Sequence, residues 1–321
     1  MSASGELGAR RRVDVHHHFV PQVWARDLRA SIAETSRNAH LLFDWTPARS
    51  LDEMDRTGTA MAVLSLTNPG LGPASVPDAR RLARACNEYA ADLVRDHPGR
   101  FGAFAILPLQ DIDTSIEEAA YALDTLKLEG IGLMTSHGGK WPGDTQFAPL
   151  FDELSRRRAT VYLHPTVSNC TAAIPDVSAS VIEFPIETAR AVVSLLFSGT
   201  LARCRGINWI FSHAGGALPA LAERLSRIFD SQNQLRSRAP AGALAELQRL
   251  YYDTAQAAAP AVLHALLSLV PVSQVLFGSD YPMVPIGNGV EGLARLGLSA
   301  ATVAAIERGN AQALFPRLRV S

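Results

Sequence analysis

The chain has 321 residues, 47% hydrophobic and 19% charged, with 30 Lys+Arg against 31 Asp+Glu and a formal net charge of -1. This composition excludes a disordered or polyelectrolyte chain, and the balanced charge provides no field drawing the protein to nucleic acid or to a membrane. The length suits either two domains of about 150 residues or one α/β barrel with long loops.

Residues 1–11 read as a loose tail: they carry positive charge, but no apolar segment of secretory-signal length follows. Cys86, Cys170 and Cys204 are widely separated, without the spacing of a disulfide framework or thiolate cluster. No run approaches the length of a membrane span, so a cytoplasmic protein is expected. From residue 12 onward, strand-length apolar runs recur: VDVHHHF (13–19), AVLSL (62–66), FGAFAIL (101–107), IGLMT (131–135), TVYLH (160–164), NWIFSH (208–213), LYYDT (250–254) and QVLFGSD (274–280). Helix-like segments separate them at 47–58, 77–99, 113–130, 147–158, 183–199, 217–230 and 259–269, and a last one covers 299–315. Asp113 or Thr114 is a candidate N-cap, and Gly58, Gly99, Gly130 and Gly199 stand where helix C-caps belong. Apolar runs without strict polar alternation indicate strands buried on both faces. Eight strand–helix units without a G-x-G-x-x-G after the first strand predict an α/β fold, a (β/α)8 TIM barrel with long C-terminal-rim loops, as a single domain over 12–321.

In such a barrel, catalytic groups stand at the C-terminal ends of the strands. Strand alternation places Asp14, His16 and His18 on one face and Val13, Val15 and His17 on the other, which predicts the valines under the helices and two imidazoles toward the barrel interior. His164, His213 and Asp280 each close an apolar strand. His16, His18, His164 and Asp280 form an N3O set suited to a borderline divalent cation with an open coordination position. His213 is left as an acid or base, its imidazole exchanging protons near neutral pH. His137 and Asp253 also stand at the rim, Asp253 alternatively as a helix cap, and Glu183 is a candidate partner for a ligand imidazole. The loops at 19–46, 137–146, 165–182 and 281–291 are long enough to shape a pocket, with Phe19, Trp24, Trp141, Phe184 and Tyr281 available either to stack on an aromatic ring or to anchor those loops.

VDVHHH (13–18), the His164–Pro165 pair, SHAGG (212–216) and GSDYP (278–282), in that order, resemble the amidohydrolase superfamily, in the branch of aminocarboxymuconate-semialdehyde decarboxylase. Further matches are W45-T-P-A-R49 leading into LDEMDRTG, the segment 86–111, and EFPIETARA (183–191). The resemblance implies a single divalent metal held by His16, His18, His164 and Asp280, with zinc favoured over manganese because His16 stands where some relatives have glutamate. It further implies that His213 handles water or protons, that Arg49 grips a substrate carboxylate, and that Arg224 reaches the site of a neighbouring subunit in a homodimer or higher homo-oligomer.

HHHF, LFSGT and IFSHAGG make decarboxylases of 6-methylsalicylate and related ortho-hydroxyaryl acids the most similar group within that branch. The expected substrate is therefore a small aromatic carboxylate, chelated through its phenolate and carboxylate oxygens, with a proton delivered to the ring carbon by Asp280 or His213. The competing expectation is a hydrolase, in which a metal-activated water attacks a lactone or amide.

Overall fold

The computed structural model describes residues 12–167 and 174–318; the expected tail at 1–11 and Cys170 lie outside them. Eight parallel strands run in sequence order: β1 (Arg12–His18), β2 (Thr59–Ser65), β3 (Phe101–Ile106), β4 (Gly130–Met134), β5 (Thr160–His164), β6 (Asn208–Phe211), β7 (Tyr251–Asp253) and β8 (Val275–Leu276). Helices lie between them, as a (β/α)8 barrel requires. Past its two paired residues, the β8 segment meets β1 through Val15 N to Phe277 O (2.9 Å), Asp280 N to His16 O (2.8 Å) and His18 N to Tyr281 O (2.7 Å). These bonds fix Asp280 beside the histidines of β1.

The helices follow from local chemistry. Pro47–Thr57 starts at Thr46, whose side chain accepts the Arg49 N–H, has Pro47 in its first turn, and ends at Gly58 with φ 68°. The N-cap of Ile112–Ala120 is Asp111, which accepts Thr114 N at 2.8 Å, rather than Asp113 or Thr114. Gly130 is not a helix cap either; it begins β4, where a Cβ would lie 2.4 Å from Thr160 O, so the position serves close strand approach. The loop after β1 holds three short helices, Gln22–Asp27, Arg29–Thr35 and Ala39–Phe43.

The alternation expected for β1 fails at one point. The β1–β2 register shifts between Asp14 and His17, so Val13 and Val15 join Phe104, Tyr162 and Ile210 in the cluster beneath the histidines instead of packing under the helices. Asp14 falls on the side of His17, bonding its Nδ1 at 3.1 Å and the Ser279 hydroxyl at 2.6 Å. An irregularity of one residue thus keeps both the valines and His16/His18 inside the barrel. No helix among the described residues is long and apolar enough to cross a membrane.

Candidate metal centre and active site

His16 and His18 come from β1, His164 from the last position of β5, and Asp280 from the turn after β8. All four are buried, and one donor atom from each lies within 4.8 Å of the others. Gly278 allows this approach: a Cβ there would lie 2.8 Å from His16 Cβ and 3.0 Å from Asp253 Cβ. Asp280 itself has φ 71°, a left-handed backbone that turns its carboxylate back over the barrel mouth.

The Nδ1 atom of each imidazole meets an oxygen: Asp253 Oδ2 at 2.9 Å for His16, Ser65 O at 3.2 Å for His18, and Pro165 O at 2.9 Å for His164. A carbonyl oxygen only accepts, so His18 and His164 carry their N–H on Nδ1 and leave the Nε2 lone pair for the centre. His16 Nε2 and His18 Nε2 are 3.2 Å apart, and both face Asp280 Oδ1, at 3.2 and 2.9 Å. Lone pairs and a carboxylate oxygen converging in a buried space are a donor set that a cation completes.

The electrostatics agree. Burial lowers the His16 pKa, but the Asp253 and Asp280 carboxylates more than reverse this and bring it to about 10. Burial together with the neighbouring His18 and His16 holds His164 well below its ordinary value, as a neutral imidazole. Burial also works to raise Asp280, yet His16, His18 and His213 hold it well below the usual carboxylate range. Burial lowers His18 as well, so protonation is favoured only at His16, beside the Asp253 and Asp280 carboxylates; three imidazoles with one carboxylate fit a divalent ion.

His213 stands outside the ligand set. Its Nε2 lies 3.5 Å from Asp280 Oδ2, its backbone N–H donates to Asp253 Oδ1 at 2.9 Å, and its Nδ1 is buried without a hydrogen-bond partner. The Gln256 amide also donates to Asp280 Oδ2. Both His213 (φ 55°) and Gln256 (φ 52°) share the left-handed backbone of Asp280, so unusual conformations cluster around one carboxylate.

A cavity of about 190 Å³ opens over this centre, lined by His164, Asp280, Phe184, Gln256, Arg37 and Asn68 among others. Phe184 is placed as a pocket aromatic, its ring centroid 6.2 Å from that of His164. Tyr281 is absent from that lining: the chain alternates past Asp280, and its ring packs at a tilt against His17, centroids 4.8 Å apart. Arg49 is also absent. Ser50 turns inward to bond His17 Nε2 at 2.9 Å, which leaves Arg49, about 100° around the helix, exposed and donating to Asp44 O at 2.8 Å. The arginine in that lining is Arg37, whose guanidinium donates to Asp176 O at 3.1 Å. Arg224 is exposed on helix Leu218–Asp230, between Leu221 (38% exposed) and Ile228 (40%) on one face.

Other expected aromatics anchor structure: Trp24 Nε1 donates to Gly70 O at 2.8 Å, Trp141 Nε1 to Glu187 Oε2 at 3.0 Å, and Phe19 stacks on Tyr89. The carboxylate supporting a ligand imidazole is Asp253, not Glu183. Asp253 touches His16, the His213 backbone and Ala255 N together. Asp253→Asn is therefore expected to weaken metal affinity by about 10- to 100-fold, measured by competition with a chelator. Unchanged affinity would reduce Asp253 to a backbone tie.

A barrel with a buried cluster of three histidines and one aspartate at its C-terminal mouth that could hold one divalent ion, a further imidazole beside it and a small cavity above it has the layout of a metal-dependent barrel enzyme. Comparison with known proteins agrees. The model of the amidohydrolase family matches residues 13–317, and the chain belongs to that family. It is 38% identical to decarboxylase yanB of Aspergillus niger over 96% of this chain and 88% of the relative. It is 34% identical to the 6-methylsalicylic acid decarboxylase of Penicillium expansum, over 96% and 97% of the two chains. The fold is that of 5-carboxyvanillate decarboxylase from Novosphingobium aromaticivorans, solved with manganese and 4-hydroxy-3-methoxy-5-nitrobenzoic acid, at TM-score 0.86, 22% identity and 97% coverage of both chains.

Proposed function

We propose that the protein is a metal-dependent carboxy-lyase that releases carbon dioxide from an ortho-hydroxyaryl, salicylate-type carboxylic acid, with Zn2+ as its ion and Mn2+ as a working substitute. The observation that carries this is the Asp280 carboxylate, whose Oδ1 belongs to the ligand cluster while Oδ2 faces His213 and Gln256. One group thereby joins the metal position to a proton-handling position.

His16, His18, His164 and Asp280 would hold a divalent ion, which would supply positive charge against the anionic oxygens of the substrate. The His213–Asp280 pair holds the proton and delivers it to the ring carbon that bears the carboxylate. That carbon becomes tetrahedral as the phenolate becomes a dienone carbonyl. The C–C bond then breaks, its electrons return to the ring, carbon dioxide leaves, and the proton remains on carbon. No organic cofactor is required. Turnover in D2O is expected to place deuterium on that carbon; oxygen from labelled water in an acid product would instead establish hydrolysis of a lactone or amide and overturn the proposal.

Carboxylate capture at the mouth falls to Arg37. Arg37→Ala is expected to raise KM about tenfold, the scale of one exposed charge-assisted contact, and Arg49→Ala less than about twofold. The reverse order returns the role to Arg49.

The working unit is a homodimer or higher homo-oligomer in which Arg224 approaches the neighbouring site. The exposed Leu221 and Ile228 flanking it suit a covered face. Mixing Arg224→Ala subunits with His213→Ala subunits is expected to regenerate activity that neither has alone, because one site of each hybrid then holds both side chains. No recovery, with subunit exchange verified, would place Arg224 outside the site.

A further inference from the structure

A second and larger cavity, of about 310 Å³, adjoins the metal-side one. Thr35 and Asn68 line both, and the Thr166 hydroxyl donates to Asn68 Oδ1 at 2.5 Å, which fixes the neck between them. Beyond the neck the walls are chiefly apolar: Ile106 and Leu107 at the end of β3, Leu133 and Met134 at the end of β4, and the loop residues Leu71 and Leu109. No Asp, Glu, Lys or Arg stands among the described residues lining it, so a charged group placed there would be unpaired. His137 is the one titratable side chain in the lining, and burial lowers its pKa, leaving it neutral at pH 7. The charged chemistry of the mouth is thus confined to the metal side.

We propose that this second lobe is a substituent subsite, taking an uncharged alkyl chain carried at carbon 6 of the substrate's aromatic ring while the carboxylate and phenolate stay at the metal. The assignment rests on the decarboxylase reading given above. A lobe larger than the metal-side cavity has room for more than a methyl group, so the preferred substrates are 6-alkyl-2-hydroxybenzoates with chains longer than methyl.

Two measurements on the metal-loaded protein test this, each with 2-hydroxybenzoates bearing methyl, ethyl and propyl groups at carbon 6. The first is kcat/KM for carbon dioxide release and the second is affinity by calorimetry. Burial of each added methylene is expected to raise both by about fourfold, and the propyl compound by about 16-fold over the methyl compound. Leu109→Trp, which fills the lobe from its loop, is expected to bring the propyl-to-methyl ratio close to one; a ratio within one variant is insensitive to any loss of folded protein. Affinity that rises with chain length without carbon dioxide release would uphold the lobe and refute the decarboxylase reading. Release that is flat or falls with chain length would refute the lobe and leave the decarboxylase reading intact. A slope that survives Leu109→Trp, or no binding by any member of the series, would also overturn the assignment.

Discussion

His164→Ala is expected to release the metal ion and lower kcat by at least about a thousandfold, since the ion's charge is worth several kcal/mol to a developing oxyanion and each 1.36 kcal/mol is tenfold. His164 is the ligand supplied from across the barrel: His16 and His18 are adjacent on β1, and Asp280 hydrogen-bonds to the same strand through its backbone. Removing His164 leaves donors from the β1–β8 side only, with nothing opposing them. Its Nδ1 bond to Pro165 O is local, so the barrel should survive the change. Metal content after dialysis, turnover and thermal unfolding with and without added ion separate the effects. The wild-type midpoint should rise with added Zn2+ by linkage, and that of the variant should not. Full metal content with normal turnover would locate the ion elsewhere.

The residues of the buried cluster were legible in the sequence for a reason specific to barrels. Buried strands are short apolar runs, so a polar residue at the last position of such a run has an assigned place, the C-terminal rim, before any pairing is known. His164, His213 and Asp280 all follow that rule. β1 obeys it only in part, because the one-residue shift after Asp14 leaves no trace in the residue pattern and reverses the expected sides of Val13, Val15 and Asp14. Asp253 was visible as a rim residue, but its bond to His16 joins positions 237 apart in the chain. Gln256 gave no signal, since its contact with Asp280 depends on a left-handed backbone at a residue type that rarely adopts one. Arg49 shows the opposite case: the motif containing it is present, while the helix register that buries Ser50 leaves Arg49 exposed.

The partners of the imidazoles explain why so many strands contribute. Ser65 closes β2, Pro165 follows β5 and Asp253 closes β7, so each ligand ring is oriented by a group on a rigid element or directly beside one. Cluster geometry then depends on barrel closure more than on any loop. The two cavities above draw on loop residues as well as on the ends of β3, β4 and β5.

Asp280→Asn separates the two duties of that carboxylate. The amide retains an oxygen able to occupy the ligand position, but it lacks the charge that helps bring His16 to about 10 and no longer provides a carboxylate opposite His213 Nε2. Metal affinity is expected to fall, so the site refills only at high Zn2+, whereas decarboxylation should remain at least about a hundredfold down even when refilled, since proton delivery adds about 100- to 10,000-fold. His213→Ala supplies the contrast: with the ligand set untouched, metal should stay bound while turnover and deuterium incorporation both fall. If Asp280→Asn with a full complement of metal regained near-normal kcat, Asp280 would be a ligand alone and proton transfer would belong to His213. If instead both variants hold metal and both fail at the ring carbon, the His213–Asp280 pair acts as one proton-transfer unit, and its 3.5 Å separation is the distance that substrate binding has to close.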